Sequence, residues 1–435
     1  MAVQPPNSSP GKNIESPGAR WQVPYFSMWT GQAISLLGSR VVAFAVIWWL
    51  TATSGSYTVL AMATLVGLLP EIILGPFVGV LVDRWNRRLV MMAADAGVAL
   101  VSLLLAYLFW IEATEIWHIY LVLFTRSLIG SFHWPAFMAS TALMVPDEHL
   151  TRINGLNQGV GGLINIIGPP LGALLMATIS MAGIMMLDVL TAAIAIIPLL
   201  FIAVPQPRRA ELEGEPSSYW AELRQGFDYI MNWRGLLALV ALAVVIKIAL
   251  TPAFSLMPLL VFDYFEGTAA QFGLMEAALG IGIIVGGLIL AVWGGFKRRI
   301  FTSLLGIVLL GLGLLVLGLV PDTMFIAAVL LVFFMGLTTP IIDGPIMAIL
   351  QGSVTPDMQG RVFALLTSLV SITSPIGLVI AGPVSDLVGI QFWFLISGVI
   401  CIVVGCIFFF IPAITNIEEN KGPETVHARA VKAPE

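Results

Sequence analysis

Seven ionisable side chains lie well inside long apolar stretches of the sequence, where a charge is most costly. A charged residue at the centre of a membrane-spanning helix costs about 2.5 to 3.5 kcal/mol on insertion scales, so each must pair, bind a proton or face water. Three of the seven are basic and four are acidic, so complete pairing would leave one carboxyl over. A desolvated carboxyl without a partner favours its neutral form, which suits a reversible proton carrier. The seven are Arg40, Glu71, Arg126, Asp188, Lys247, Glu276 and Asp343.

Apolar helices are the elements that must position these charges. The chain has 435 residues, of which 58% are hydrophobic and 10% are charged, whereas a soluble domain has about 25% charged residues. A bilayer core of about 30 Å requires roughly 20 apolar residues per helix. We therefore predict an all-α membrane protein with twelve spans, at 23–50, 57–82, 89–110, 117–140, 157–179, 183–204, 236–262, 269–293, 300–320, 323–350, 362–383 and 390–412.

Basic residues are confined to one side of the predicted membrane, apart from Arg40, Arg126 and Lys247 inside it. The other seventeen lie in the tails or in even-numbered loops, whereas the charged residues of the odd-numbered loops are acids. Cytoplasmic loops carry an excess of Lys and Arg. The pattern predicts that both termini are cytoplasmic.

The charges also differ in predicted depth, at about 1.5 Å of rise per residue. A staggered set of this kind could pass protons inward in steps, with His133 and Asp343 as the inner exit. Fixed ion pairs between helices are the alternative, and His133 could instead satisfy a carbonyl that Pro135 frees. Asp188 and Glu276 fall in the outer third, Arg40, Glu71, Arg126 and Lys247 near the middle, and His133 and Asp343 toward the cytoplasm.

A long polar interruption divides the predicted helices into six and six. It predicts a disordered cytoplasmic tail at 1–22, an N-terminal half at 23–204, a cytoplasmic linker at 205–235, a C-terminal half at 236–412 and a second tail at 413–435. The linker contains a segment typical of an amphipathic helix on the membrane surface.

An internal repeat supports this division. His133-Trp134-Pro135 followed by Pro146-Asp147 recurs, 210 residues later, as Asp343-Gly344-Pro345 followed by Pro356-Asp357. Two six-helix halves of this kind, with a binding site between them near the midplane, are the plan of one large class of transporters.

The loop after the second span has the sequence GVLVDRWNRR at 79–88. It resembles the signature loop of the major facilitator superfamily, in which Asn86 replaces a glycine and, because Asn tolerates positive φ, should preserve the turn. Its acid and arginines can bind the other half when the cytoplasmic face is closed. The alternative is a simple positive-inside anchor. The predicted cytoplasmic gate comprises Gly79, Asp83, Arg84, Arg87, Arg88, Asp95 and Arg361.

Two further motifs resemble those of the same superfamily. Arg126 is followed by a glycine four residues later, and the fifth span carries Gly159, Gly168, Pro169 and Gly172 with the spacing of the drug antiporter motif. The second motif implies export. Close helix packing through small residues is the alternative.

Four segments are similar to the macrolide efflux family of that superfamily. They are 29–39 (WTGQAISLLGS), 67–70 (GLLP), 132–136 (FHWPA) and 360–363 (GRVF). The resemblance implies two pseudo-symmetric six-helix bundles, the major facilitator fold. It also implies a multi-pass protein of the bacterial inner membrane that exports macrolide-like or other amphipathic organic compounds against proton entry.

Three alternative functions stay open at this point. They are export of a siderophore or lipid, transport of a metal ion with His133, Asp343 and neighbouring carboxyls as ligands, and an intramembrane enzyme. The sequence contains no His-Glu-x-x-His, Asp-Asp or Gly-x-Ser-x-Gly motif, so we predict no enzyme. We also predict no cofactor, no bound metal and no nucleic acid partner. The expected partners of a monomer are the substrate, protons and the lipid bilayer.

Overall fold

The apolar stretches fold as long helices joined by short polar turns. The computed structural model describes residues 21–206 and 219–419, and the regular structure in these ranges is helical. The first half contains α1 Gln22–Ser54, α2 Tyr57–Arg84, α3 Arg87–Trp110, α4 Ile116–Met144, α5 Asp147–Thr178 and α6 Met181–Phe201. Next come α7 Tyr219–Asn232, α8 Arg234–Ser255, α9 Met257–Leu259, a π-helical turn Leu260–Tyr264, α10 Ala269–Trp293, α11 Arg299–Leu317, α12 Phe325–Ser353, α13 Pro356–Val388, α14 Gln391–Phe408 and α15 Pro412–Thr415.

The helices match the predicted spans in number and order. Among the described residues, eleven helices are long and apolar enough to cross a membrane. The remaining predicted span is α4, whose hydropathy is lowered by Arg126, Pro135 and two histidines. Its 29 residues exceed the roughly 20 that a bilayer core requires. The predicted all-α membrane fold is confirmed.

Two parts of the chain depart from the sequence expectations. Asn86 has a φ of −69° and its side chain accepts a hydrogen bond from the Leu89 N–H, so it caps α3 and the expected positive φ is wrong. The predicted C-terminal tail from 413 is folded as far as 419, because the apolar Ile414 and Ile417 are fully buried. Residues 420–435, and 1–20 of the other predicted tail, lie outside the described residues.

The helices pack as two groups. In the first, α3 packs against α4 and α6, α1 against α5 and α6, and α2 against α4. In the second, α12 packs against α10 and α11, α14 against α11 and α8, and α13 against α8. The extensive contacts between the groups are α2 with α13 and α5 with α10. The exact boundaries of the two halves stay predictions.

One end of the bundle holds α7, and we call it the linker face. There α1, α3, α5, α8, α11 and α13 begin, and α7 packs on α13, where a Cβ on Gly226 would lie 2.5 Å from the Leu365 side chain. The opposite end, where α2 begins at Tyr57, is the far face.

Hydrogen bonds and aromatic rings join the two halves at the far face. The Tyr57 hydroxyl donates to Asp263 Oδ2 at 2.6 Å, and the Tyr57 N–H donates to Asp386 Oδ1 at 3.1 Å. The Thr58 hydroxyl also donates to Asp386. The ring of Phe272 on α10 stacks on Trp48 of α1 at 5.7 Å. We call Tyr57, Thr58, Asp263 and Asp386 the far-face latch.

The interface helices separate toward the linker face. On α10, a Cβ added to Gly273 near the far face would lie 3.1 Å from the Pro169 carbonyl oxygen of α5. Glycines nearer the linker face are open, because an added Cβ would meet no atom within 4 Å at Gly67 and Gly75 of α2, Gly155, Gly159, Gly161 and Gly162 of α5, and Gly287 of α10.

Candidate transport pathway

One ion pair crosses between the two halves. Arg40 of α1 donates from Nη2 to Glu276 Oε2 of α10 at 3.1 Å. The Arg40 side chain is 40% exposed and that of Glu276 is 22% exposed. The sequence predicted that charges at this depth must pair, and these two partners lie 236 residues apart in the chain.

A second ion pair lies wholly within the first half. Arg126 of α4 donates from Nη1 to Asp188 of α6, which is fully buried. Ser102 of α3 bridges the pair, accepting from Arg126 at 2.7 Å and donating to Asp188 Oδ2 at 2.6 Å. Ser39 of α1 donates to Asp188 Oδ1 at 2.9 Å. Because Arg is always charged, Asp188 has a permanent counter-charge. We call these four residues the arginine layer.

A third cluster joins a residue predicted for the gate with one predicted for the pathway. Asp95 of α3 is 5% exposed, and it accepts from Gln32 Nε2 at 2.9 Å and from the Ser35 hydroxyl at 3.4 Å. His133 Nε2 of α4 lies 2.8 Å from Gln32 Oε1 and 3.6 Å from Asp95 Oδ1. Asp95 therefore lies beside His133 inside the first half. We call Gln32, Asp95 and His133 the histidine layer.

Three of the predicted intramembrane charges are exposed. In the ranges 21–206 and 219–419, no hydrogen bond or ion pair is formed by the side chains of Glu71, Lys247 and Asp343. The positive charge of Lys247 interacts electrostatically with the Asp343 carboxylate, although the two side chains do not form an ion pair. Two of the three predicted basic residues thus pair, and two carboxyls are left over instead of the single one expected.

Three arginines of the predicted gate donate hydrogen bonds to backbone carbonyl or side-chain amide oxygens. Arg87 is buried, and its Nη1 donates to the Ala139 carbonyl at 3.4 Å. Arg88 Nη2 donates to the Leu200 carbonyl at 2.7 Å. Arg361 of α13 donates to Gln225 Oε1 of α7 at 2.6 Å, so the linker helix is tied to the second half. Arg84 is exposed, and the side-chain positions of Gly79 and Asp83 lie outside the described part of the chain.

The predicted antiporter motif lies where α1, α5 and α10 meet. A Cβ on Gly168 would lie 2.6 Å from Arg40 Cγ, and one on Gly172 would lie 2.8 Å from Phe44 Cδ1. The Pro169 carbonyl faces Gly273 of α10, whereas Gly159 touches none of these helices. Three of the four motif residues therefore surround the crossing ion pair.

Sequence reasoning missed the neutral residues of the two layers. Gln32, Ser39 and Ser102 carry no charge, and neither does Ser35 beside them, so the cost of burying a charge did not mark these residues. A spacing of seven residues, which is two helical turns or about 10.5 Å, marks both layers. It separates Gln32 from Ser39 on α1, Asp95 from Ser102 on α3, and Arg126 from His133 on α4.

Two packed bundles of membrane helices, with ion pairs between and within them, have the architecture of transporters of the major facilitator type. Solved structures share the fold. A bacterial homologue of the human lysosomal transporter Spinster, in an inward-facing and unoccupied conformation, superposes with a TM-score of 0.70 at 11% identity, over 94% of this chain and 100% of that one. A D-xylose–proton symporter gives 0.67 at 13% identity, over 88% and 97%.

Sequence comparison identifies the family. Residues 19–433 match the model of the transmembrane secretion effector family, and the chain belongs to that family. Macrolide efflux protein A of Streptococcus pyogenes is 34% identical over 388 residues, which are 89% of this chain and 96% of that protein. The multidrug efflux pump Tap of Mycobacterium tuberculosis is 25% identical over 399 residues, 88% and 91% of the two chains.

These matches confirm several predictions from the sequence. The chain is a bacterial multi-pass membrane protein and a transporter related to macrolide and multidrug efflux proteins. Its relatives and its fold are those of transporters of small organic molecules, not of enzymes.

Proposed function

We propose that the protein exports macrolide-like or other amphipathic organic compounds by alternating access, coupled to proton entry. The observation that carries this proposal is the Arg40–Glu276 pair. It is an ion pair between the two halves, and one of its members can be neutralised by a proton. A transporter that couples protons to rocking of its halves needs such a group at the interface.

Protonation of Glu276 removes the charge that attracts Arg40. The pair then loses its charge-assisted hydrogen bond, which is roughly twice as strong as a neutral one. The proton thereby weakens one of the contacts that hold α1 against α10 near the far face. Opening of the far face would release the substrate, and loss of the proton would restore the pair.

The separation of the halves at the linker face supports loading of the substrate from that side. By the excess of basic residues in the tails and even-numbered loops, the linker face is cytoplasmic. We therefore propose a protein of the bacterial inner membrane with both termini in the cytoplasm. One chain supplies both halves of the pathway, so we propose that the monomer transports.

The substrate class follows the relatives whose names state one, the macrolide efflux proteins. Exposed apolar side chains such as Leu156 and Leu163, which lie in the same stretch of α5 as the open glycines, suit an amphipathic substrate. No feature of the described residues favours a siderophore or a lipid as the substrate.

Reconstitution in liposomes with an imposed proton gradient tests the proposal. A macrolide, a siderophore and a phospholipid are offered in turn, and proton movement is followed with substrate movement. We expect macrolide transport that requires the gradient, and its loss in Glu276→Gln. Glu148→Gln is the control, because Glu148 is an exposed carboxylate beside His149 at the start of α5. Macrolide transport at the same rate with and without the proton gradient would overturn the proposed proton coupling.

A further inference from the structure

We propose that Asp95 and His133 form a second proton-binding site, separate from Glu276 and contained within the first half. The inference rests on the proposed proton-coupled function and adds a site to it. A carboxylate that is nearly fully buried needs a counter-charge. Its described partners, Gln32 and Ser35, are neutral, and the described side chain that lies within 4 Å of it and can become a cation is that of His133.

The hydrogen bonds define how the proton is held. An ionised carboxylate only accepts, so Gln32 turns its amide nitrogen to Asp95 and its Oε1 to His133. His133 Nε2 must then carry a hydrogen that it donates to Gln32 Oε1. Among the described hydrogen bonds, none involves His133 Nδ1, which is therefore the atom that accepts a proton. Uptake of that proton makes an imidazolium 3.6 Å from Asp95.

Comparison with the arginine layer shows that the histidine layer has no permanent cation beside its carboxylate. Both layers use α1, α3 and α4, at positions seven residues apart. In the arginine layer, Asp188 is held by Arg126, which never loses its charge. In the histidine layer, the corresponding position of α4 holds an imidazole, which can gain and lose a proton where a guanidinium cannot. The same three helices thus hold a fixed ion pair, whose acid comes from α6, and a reversible one, whose acid comes from α3.

The two intramembrane arginines of the first half bind carboxylates other than Asp95. Arg126 binds Asp188, and Arg40 binds Glu276. The His133 side chain is 25% exposed, whereas that of Asp95 is 7% exposed. The remaining titratable groups on α3, on α4 and on the helices packed against them are Tyr25 on α1, Tyr57, Glu71, Asp83 and Arg84 on α2, Arg87, Arg88 and Tyr107 on α3, His118 and Tyr120 on α4, and Asp147, Glu148, His149 and Arg152 on α5.

The position of the site determines its role. His133 lies eleven residues from the end of α4 at the linker face, which is about 16 Å, whereas Glu276 lies seventeen residues from the linker end of α10, which is about 25 Å. The second site is therefore closer to the linker face. It exchanges its proton with water on that side while the halves are joined at the far face. The step moves one proton between water and Nδ1 and breaks no other bond.

Nuclear magnetic resonance of ring-labelled histidine tests the site directly. The His133 signal is assigned by its loss in His133→Gln, and it is titrated in wild type, Asp95→Asn and Glu276→Gln. We expect Asp95→Asn to change the His133 titration midpoint and Glu276→Gln to leave it unchanged. An unchanged midpoint in Asp95→Asn would overturn the second site. If Asp95→Asn does not fold, Gln32→Leu, which removes the bridging amide, replaces it with the same expectation.

Transport measurements separate this site from the proposed function. In liposomes, we expect His133→Gln to retain exchange of labelled macrolide without a gradient. Substrate-driven proton movement should fall to a small fraction of the wild-type rate, because glutamine cannot take up a proton at this position. His149→Gln is the matched control, because His149 is an exposed histidine at the start of α5.

The transport assay distinguishes failure of the proposed function from failure of the second proton-binding site. Wild-type protein that moves no protons would overturn the proposed function and, with it, the role of the second site. Wild-type coupling that Glu276→Gln abolishes and His133→Gln leaves intact would overturn the second site alone.

Discussion

Gly168 of α5 lies directly against Arg40 of α1, with the position of an added Cβ only 2.6 Å from Arg40 Cγ. Real Cβ atoms do not approach so closely, so any other residue at 168 would displace the arginine. The glycine thereby seats the side chain that binds Glu276 across the interface. The predicted antiporter motif of α5, which the sequence shows only as small residues, thus positions the charged side chain of Arg40.

Gly168→Ala should therefore disturb the crossing ion pair. The methyl group must push Arg40 from its place, and Glu276 would lose the hydrogen bond at 3.1 Å. We expect a fall of about tenfold or more in gradient-driven macrolide transport, which corresponds to about 1.4 kcal/mol. Gly159→Ala is the control in the same motif, because its Cβ would meet nothing within 4 Å. Equal losses in the two variants would contradict this role of Gly168.

Removal of the Asp188 carboxylate should destabilise the fold. Asp188→Asn leaves Arg126 as a charge without its partner, and breaking one side of a buried pair costs about 3 to 5 kcal/mol. We expect a lower midpoint of thermal unfolding in detergent. The double variant Arg126→Met with Asp188→Leu should recover most of the loss, since it leaves no charge unpaired. Asp322→Asn, in an exposed loop, should unfold as wild type does.

The sequence predicts the helices well because their signal is local. A run of about 20 apolar residues is long enough to span a membrane, and Arg40, Arg126 and Lys247 are conspicuous inside such runs. Pairing depends instead on how each helix is rotated and which helix lies beside it. Asp95 is the clearest case, because its place in the chain suggested the gate, whereas the rotation of α3 turns it to Gln32 and His133.

The spacing of polar residues holds information that hydropathy does not. Ser39 and Ser102 are unremarkable alone, but each lies seven residues from a polar residue on its own helix, Gln32 or Asp95. Such a repeat marks one face of a helix. It could have identified the layers before the structure, although not which helix supplies Asp188.

The orientation of the chain can be tested by labelling introduced cysteines. After replacement of Cys401 and Cys406, Ala113→Cys places a thiol at the far face and Asn86→Cys places one at the linker face. A maleimide that cannot cross membranes should label position 113 in intact cells. It should label position 86 only after permeabilisation. The reverse pattern would contradict the cytoplasmic location of the linker face.

Loss of the Tyr57 hydroxyl should favour opening of the far face. Tyr57→Phe removes the hydrogen bond to Asp263 at 2.6 Å, which joins the two halves. A hydrogen bond to a charged group contributes about 1.5 to 3 kcal/mol, so the closed population should fall about tenfold or more relative to the open one. Spin labels at Ala113→Cys and Thr323→Cys, in far-face loops of the two halves, report this as a longer distance in pulsed electron resonance.

Tyr120→Phe is the matched control for the latch. The Tyr120 hydroxyl donates to the Val59 carbonyl at 3.1 Å, and both residues belong to the first half. Its loss removes a hydrogen bond of α4 without touching a contact between the halves, so the label distances should stay at wild-type values. Comparison of the two variants separates the loss of a hydrogen bond between the halves from the loss of a tyrosine hydroxyl in general. If Tyr57→Phe and Tyr120→Phe gave the same distances, the closed far face would depend on the stacked rings of Trp48 and Phe272 instead.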